Sequence, residues 1–283
     1  MTGRRLPDWL RTSIPFSNTM AKVESLIREN GLNTVCVHAK CPNRAECYGR
    51  GTLTFMILGN TCSRNCRYCN VTPGKPQRLD PDEPVKIGRA VSALGLSYAV
   101  VTSVTRDDLP DGGAAHFAET IQQIKTCSPY TKTEVLVPDF RNTIKSLQCI
   151  VDADPEVIGH NIETVFRLFP EVRPQADYHR SLEVLSWFAK NSTAVIKSGL
   201  MAGLGESDEE IASTLRDLHN NGVRALTIGQ YLSPSPEHAA VQKYYTPEEF
   251  ASLEAIARSI GFSHVESGPL VRSSYYAERT LCS

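Results

Sequence analysis

The sequence predicts an α/β fold: a partial (β/α) TIM-type barrel on a parallel sheet, with an N-terminal and a C-terminal extension. Three observations carry this. From residue 53 onward, short apolar runs alternate with capped helical patterns, the rhythm of repeated βα units. The 283 residues suffice for one barrel-sized core, and no repeat, low-complexity tract or second core interrupts them. A cysteine triplet falls directly after the first strand, at a C-terminal strand end, where βα folds carry their chemistry.

Taken in order, Ser17 to Asn30 reads as a helix with Met20, Val23 and Ile27 on one face and Gly31 as its stop. A polar, Gly/Pro-punctuated loop then carries Cys36, Cys41 and Cys47, and residues 1–52 form the N-terminal extension. The run Leu53–Leu58 is a buried parallel strand ending at Gly59. Asp80-Pro81-Asp82-Glu83 has the N-cap, first-turn proline and acidic third position of a helix ending near Gly95. Strand-like runs follow at Ser97–Val104, Glu134–Pro138, Glu156–Asn161, Ala194–Gly199 and Ala225–Gln230. Ser207 to Glu210 is a capping box ahead of Ile211, Leu215 and Leu218, stopped by Asn221-Gly222. Thr246 to Glu249 repeats the pattern ahead of Phe250, Leu253, Ala257 and Ile260, with Gly261 as the stop. The barrel is assigned to residues 53–266 and the C-terminal segment to 267–283, all in one structural domain.

Lys and Arg number 30 against 31 Asp and Glu, which gives no general attraction to nucleic acid or membrane. No apolar run approaches the roughly 20 residues of a membrane span, and no apolar signal core follows the N-terminal basic residues. The expected site is the cytoplasm, or an organelle matrix after removal of a transit peptide, and the expected state a monomer. Nine cysteines, an odd count, argue against a fully paired disulfide framework, and a reducing compartment favours metal binding.

Cys36, Cys41 and Cys47 follow C-x4-C-x5-C; Cys62, Cys66 and Cys69 follow C-x3-C-x2-C. Thiolates suit zinc, iron–sulfur clusters or copper(I). A closed zinc site wants four ligands, commonly as C-x2-C pairs across a longer loop. Neither triplet has that shape; His38 is a candidate nitrogen but reads as loop polarity. Electron-carrying ferredoxins use four cysteines per cluster. A triplet without a fourth cysteine nearby leaves one position open, which favours catalysis, and two triplets suggest two clusters with different jobs.

The second triplet, with Tyr68 just before its last cysteine, resembles the signature of the radical S-adenosylmethionine (SAM) superfamily. The resemblance implies a [4Fe–4S] cluster on Cys62, Cys66 and Cys69 whose fourth iron is chelated by SAM. One electron would cleave the sulfonium bond and release a 5′-deoxyadenosyl radical able to abstract hydrogen from an unactivated carbon, so the cofactor carries the hard step. Gly199 to Glu206 resembles the superfamily's G-x-I-x-G-x-x-E strand motif, with Met201 where isoleucine is usual and backbone facing adenine. It also fits a Gly-rich turn into the Ser207 cap. In Val101–Ala114, Thr102, Ser103, Asp111, Gly112 and Gly113 are candidates to hold the SAM amine and ribose; an ordinary βα loop with an Arg106–Asp108 ion pair is the alternative. Asn161 and Glu163 are candidates for the ribose, and Arg173 and Lys197 for a carboxylate or an acidic carrier surface.

The order of the two triplets, followed by Arg272-Ser273-Ser274-Tyr275, resembles the lipoyl synthase family. CPNRAEC, FMILGNTCSRNCRYCNV, VTSVTRDDLPDGGA, GHNIET, VRP, KSGLMAGLGE, and GQYLSPS through GPLVRSSY extend the likeness over nearly the whole chain. Thr105 stands where that family often has asparagine. The resemblance implies two [4Fe–4S] clusters and SAM as cofactors. The implied substrate is an octanoyl chain on a lysine of a lipoyl carrier domain, such as the glycine-cleavage H protein or a 2-oxoacid dehydrogenase acyltransferase subunit. Sulfur would enter at C6 and C8 from an auxiliary cluster on Cys36, Cys41 and Cys47, consumed in the process. A reducing electron carrier and an iron–sulfur cluster donor are the further implied partners. A serine of the RSSY motif would ligate the auxiliary cluster's fourth iron. Adjacent residues of an extended segment face opposite ways, so one is expected to ligate, Ser274 first and Ser273 as the alternative. A hard oxygen among soft sulfurs makes a releasable ligand.

Cys127 and Cys149 read as inert thiols and Cys282 as incidental at a terminus. His116, His160, His179 and His238 lack ligand spacing, and Tyr178 and Tyr275 either shield a radical or pack. Three rivals predict different behaviour: an electron carrier without SAM chemistry, a colourless zinc-stabilised binding module, and a sulfur inserter acting on a free small molecule.

Overall fold

A computed structural model describes residues 6–11 and 18–281. Its framework is a seven-stranded, wholly parallel sheet. After β1 (Thr54–Ile57) come two short strands, β2 (Thr61–Cys62) and β3 (Thr72–Pro73), that pair only with each other. Then follow β4 (Tyr98–Ser103), β5 (Lys132–Leu136), β6 (Val157–Gly159), β7 (Val195–Ala202), β8 (Ala225–Gln230) and β9 (His264–Gly268). The sheet order is β1-β4-β5-β6-β7-β8-β9, with every neighbour sequential and parallel. A parallel sheet that never doubles back curls one way, and helices between its strands cover the outside. Among the described residues β1 and β9 are not paired with each other, so this is the expected partial barrel. Strands such as β1 and β8 are buried along their length, as a sheet covered on both faces requires. No helix among the described residues is long and apolar enough to cross a membrane.

The helices are α1 (Asn18–Glu29), α2 (Val35–His38), α3 (Arg44–Gly49), α4 (Glu83–Leu94), α5 (Ala114–Cys127) and α6 (Ile144–Asp152). They continue with α7 (Phe169–Val172), α8 (Tyr178–Asn191), α9 (Asp208–Asn220) and α10 (Pro247–Ile260). The capping boxes at Ser207 and Thr246 form in full. Helix α1 buries Met20, Val23 and Ile27 as its spacing predicts; Ser17 and Cys282 lie outside the described residues.

Three expectations need correction. Helix α4 begins at Glu83, with Pro84 in its first turn; Asp80 instead accepts the Asp82 amide at 2.9 Å. The first triplet lies only partly in a loop: Cys36 sits on α2 and Cys47 on α3, and Cys41 alone is in the connection between them. Thr34 bridges to Phe55 on the free edge of β1, and its hydroxyl meets the Tyr48 hydroxyl at 2.8 Å, fixing both short helices against the barrel. The seventh strand, β9, carries no apolar run because it is an edge strand whose one buried residue is Val265.

The chain then turns back. After β9 it crosses the end of β8, where Gly229 leaves room for it: a Cβ there would sit 2.1 Å from the Val271 carbonyl oxygen. The segment ends in a short 3-10 helix, Ala277–Leu281. Inside the barrel, Lys197 is spent on a buried ion pair with Glu134 (2.8 Å), whose other oxygen accepts from Tyr98 at 2.7 Å.

Candidate functional site

The second triplet begins where β1 ends. Leu58 and Gly59 both turn left-handed, with φ 70° and 94°, and throw the chain off the strand into the cysteine loop. That loop is tied to the segment after β4. The Ser63 amide and hydroxyl both donate to the Thr105 carbonyl, at 3.0 and 2.9 Å, and the Asp107 amide returns a bond to the Ser63 hydroxyl at 3.0 Å. The Cys62 sulfur accepts two backbone amides, Thr105 at 3.3 Å and Arg64 at 3.4 Å. Downstream, the Cys69 carbonyl meets a His238 ring nitrogen at 3.0 Å, and the Arg67 carbonyl accepts the Ala239 amide at 2.8 Å.

Arg64, between Cys62 and Cys66, is buried and forked on two carboxylates. It donates to Asp107 at 2.7 and 2.9 Å and to Asp139 at 2.7 and 3.0 Å. Burial alone would raise the Asp139 carboxyl, but the bonds and charge of Arg64 hold it well below the usual range. Asp139 heads a turn in which Phe140, Arg141 and Asn142 all have positive φ (43°, 51° and 55°), an unfavourable backbone for residues with a Cβ. The turn presses Phe140 onto Gly112, where a Cβ would come within 2.9 Å of its ring. Sequence reading missed Arg64, Asp107 and Asp139. The available signal was an arginine between two thiols with aspartates just past two neighbouring strands.

The first triplet draws on both ends of the chain. Cys36 is buried and its thiol is pushed up to about 11, chiefly by burial, against the backbone of Thr54, which hydrogen-bonds to it. Cys47 is pushed up to about 12, by burial first and then by Cys36 and Cys41. Burial also raises Cys41, against the charge of Arg272 beside it. The two serines part ways: Ser274 Oγ accepts from Thr54 Oγ1 at 2.7 Å, whereas Ser273 Oγ donates to Asn161 Oδ1 at 3.0 Å. Ser274 therefore faces the strand start that touches Cys36, and Ser273 faces the β6 loop. His38 turns to Asn33 at 3.1 Å, away from the thiols. Its carbonyl accepts from Asn70 at 2.6 Å, a direct tie between the two triplets.

All six cysteines and both serines line one cavity of about 740 Å³. Tyr68, Thr102, Ser103, Glu163 and Met201 line it as well. The Thr102 hydroxyl is already given to the Leu136 carbonyl at 2.9 Å. Glu163 has φ 70° and a carboxyl raised by burial, against Arg173, Asn161 and Tyr68. Asp111, Gly112 and Gly113 do not line the cavity. Asp111 accepts the Gly113 and Ala115 amides, each at 2.9 Å, and so caps α5; a Cβ on Gly113 would strike Leu58 at 2.4 Å. The alternative reading of this loop is also realised, since Arg106 pairs with Asp108 at 2.9 Å. Glu206 of the Gly-rich motif folds back onto the amides of Gly203 and Leu204. Tyr275 lines the cavity, while Tyr178 packs on Phe166 and Phe169 and donates to Asp217. Cys149 lies in a separate groove between α5 and α6, and His116 bonds the buried Glu83.

The residues fit iron–sulfur clusters and SAM on two counts. In the second triplet Cys69 is pushed up to about 12, by burial first and then by Cys66 and Cys62. Crowded, buried thiols of this kind become thiolates only when a cationic centre replaces their protons. Among the described residues, no group of three His, Cys, Asp or Glu side chains closes around a single ion. Second, buried polar atoms without a protein partner among the described residues include Ser103 Oγ, His160 Nε2, Arg173 Nε and Asn43 Oδ1, all on residues lining this cavity. Such orphans mark a polar ligand site.

Comparison with known proteins agrees. The Radical SAM superfamily model matches residues 56–218, and the model of the N-terminal domain of lipoyl synthase matches residues 2–41. A lipoyl synthase of Caldicellulosiruptor saccharolyticus is 52% identical over 281 residues, covering 99% of each chain. One from Nitrosomonas eutropha is 50% identical, covering 97% of this chain and 88% of its own. Among solved structures, methylornithine synthase (PylB) superposes with a TM-score of 0.57 at 12% identity, over 88% of this chain and 75% of its own. HydG, a maturase of the [FeFe]-hydrogenase, gives 0.56 at 15% identity, over 80% of this chain and 61% of its own. These two share the fold.

Proposed function

This chain belongs to the lipoyl synthase family of the radical SAM superfamily, and from that premise we propose a division of labour between its two cysteine triplets. The activity is radical SAM sulfur insertion at C6 and C8 of a protein-bound octanoyl-lysine, which makes the lipoyl cofactor. A [4Fe–4S] cluster and SAM go with membership of the superfamily.

We assign that cluster to Cys62, Cys66 and Cys69, and a second, auxiliary [4Fe–4S] cluster to Cys36, Cys41, Cys47 and Ser274. When bound, the two clusters supply the electron that cleaves SAM and the sulfur that is inserted. The chain's own part is to hold and shield. Arg64, fixed by Asp107 and Asp139, keeps the second-triplet loop at the barrel rim. The amides of Thr105 and Arg64 donate to the Cys62 sulfur, and such bonds raise a cluster's potential. Arg173, whose charge reaches both Cys66 and Glu163, would meet the SAM carboxylate. Glu163 with Tyr68 and Asn161 would take the ribose, Ser103 the amine, and the Met201 backbone the adenine edge. Thr102 acts through β4, where its hydroxyl ties the strand to β5, and Asp111, Gly112 and Gly113 through the loop they shape. The Thr54 hydroxyl directs Ser274 toward the first triplet.

The observation that carries this reading is that both triplets open on one cavity, with Ser274 bonded beside Cys36. The substrate carriers are octanoylated lipoyl domains, such as a glycine-cleavage H protein or a 2-oxoacid dehydrogenase acyltransferase subunit. A reducing electron carrier and a cluster donor serve the enzyme in the cytoplasm.

A single-turnover assay tests it. Anaerobically reconstituted protein is given SAM, a strong reductant and an octanoyl-lysyl peptide. Two sulfurs gained by the peptide, with about two 5′-deoxyadenosines formed, is the expected result. SAM cleavage without sulfur on the peptide would reject this substrate, and Cys47→Ala with unimpaired sulfur insertion would reject the auxiliary site.

A further inference from the structure

The C-terminal segment that carries Ser274 is gripped on both sides of the serine. Upstream, Asn43 Nδ2 donates to the Leu270 carbonyl at 2.6 Å, and Gly229 admits the Val271 carbonyl. Downstream lies a cluster of aromatic and charged groups absorbed by neither the fold nor the proposed chemistry. Glu46 on α3, the helix that carries Cys47, and Arg50, which caps that helix, stand one turn apart and so share a face. The Glu46 carboxylate accepts from the Tyr275 hydroxyl at 3.1 Å and from the Tyr276 hydroxyl at 3.3 Å. The Arg50 guanidinium stacks 4.1 Å from the centre of the Tyr276 ring, and Arg279 stacks at 3.9 Å. Each arginine has its own carboxylate: Arg50 meets Glu278 at 2.8 Å, and Arg279 meets Glu266 at 3.5 Å.

Tyr276 takes a left-handed backbone, φ 51°. A bulky side chain pays for that conformation and keeps it only where the surroundings over-determine it. Two cations on one ring and a carboxylate on its hydroxyl are such surroundings.

We infer that Glu46, Arg50 and Tyr276 form a latch that positions Ser274 against the first triplet independently of any iron bond. The inference rests on the reading of Ser274 as an auxiliary-cluster ligand. A latched tail lets the serine leave an iron and return to it while the segment stays docked, so release of the ligand does not open the site. None of the three residues touches the second triplet or its loop.

The test uses full-length holoenzyme. Iron loss to a chelator is followed without SAM in wild type, Arg50→Ala, Tyr276→Ala, Tyr276→Phe and Ser274→Ala. SAM cleavage and sulfur insertion are then measured on the same samples. The latch predicts that Arg50→Ala and Tyr276→Ala lose auxiliary iron about five- to tenfold faster, from the loss of stacking and ion pairing. Tyr276→Phe keeps the ring and its two cations but loses the Glu46 bond, so its iron loss should fall between wild type and Tyr276→Ala. SAM cleavage should be unchanged in these three variants, which also reports a folded barrel, while the alanine variants form more 5′-deoxyadenosine per sulfur inserted. Added salt should speed iron loss in wild type and do so less in Arg50→Ala, because the pair is half-exposed and screened. Wild-type iron loss in both alanine variants would overturn the latch. Ser274→Ala reports separately on the ligand: if it alone leaves iron loss unchanged, the ligand assignment fails and the latch stands.

Discussion

Cys62 and Cys36 line the same cavity, yet the chain secures their surroundings by different means. The loop of Cys62 is held from within: a buried arginine, two carboxylates and a strained turn lie beneath it. The helices of Cys36 and Cys47 are held from outside, by an edge bridge at Thr34 and by a tail that returns from the far end of the chain. Buried, forked ion pairs tolerate no loss of a partner, whereas half-exposed pairs contribute little each and exchange readily. In the proposed chemistry one cluster persists and the other is consumed. A site fixed from inside suits the first need, and one closed by a docked tail whose serine can leave and return suits the second.

The comparison can be broken most sharply at the cysteines. Cys69→Ala should abolish SAM cleavage and sulfur insertion together, a loss beyond about a thousandfold because no protein group replaces the radical chemistry. Cys47→Ala should retain 5′-deoxyadenosine formation and lose sulfur insertion; mass analysis of both products separates them. Next comes the inner anchor. Arg64→Met takes the forked cation from the buried Asp139 and the part-buried Asp107, leaving them only the longer pairs to Arg180 and Arg141 (3.3 Å each), and should cost about 3 kcal/mol in denaturant unfolding, with weakened SAM cleavage. Gly229→Ala tests the outer closure without touching a ligand. The Val271 carbonyl must move, at a cost of about 1–3 kcal/mol, and sulfur insertion should fall well below SAM cleavage. Thr54→Val removes the hydroxyl bonded to Ser274, worth about 1 kcal/mol, and should lower sulfur insertion several-fold at unchanged SAM cleavage. Ser207→Ala is the control: loss of the α9 cap should cost about 1 kcal/mol of stability and leave the ratio of the two activities alone.

Much was fixed by local pattern. The βα rhythm, both capping boxes, the glycine stops and the cysteine spacings are short-range features. Each follows from propensity, hydrogen-bond capping or ligand reach along a few residues, so the sequence alone determined the barrel class and the two triplets. Other features depend on distant residues meeting, and no local pattern encodes them. Strand β9 is an edge with one buried residue and so lacks an apolar signature. Asp111, a plausible ligand by position, caps α5 instead, because its loop turns it toward free amides rather than the cavity. Lys197 faces the barrel interior and is neutralised by Glu134 there. Arg64 finds carboxylates from two other βα loops, and the choice of face for Ser273 and Ser274 is made by Asn161 and Thr54, contributed by distant strands. Those pairings are set by where the closing sheet delivers each strand end, and only the tertiary structure decides that.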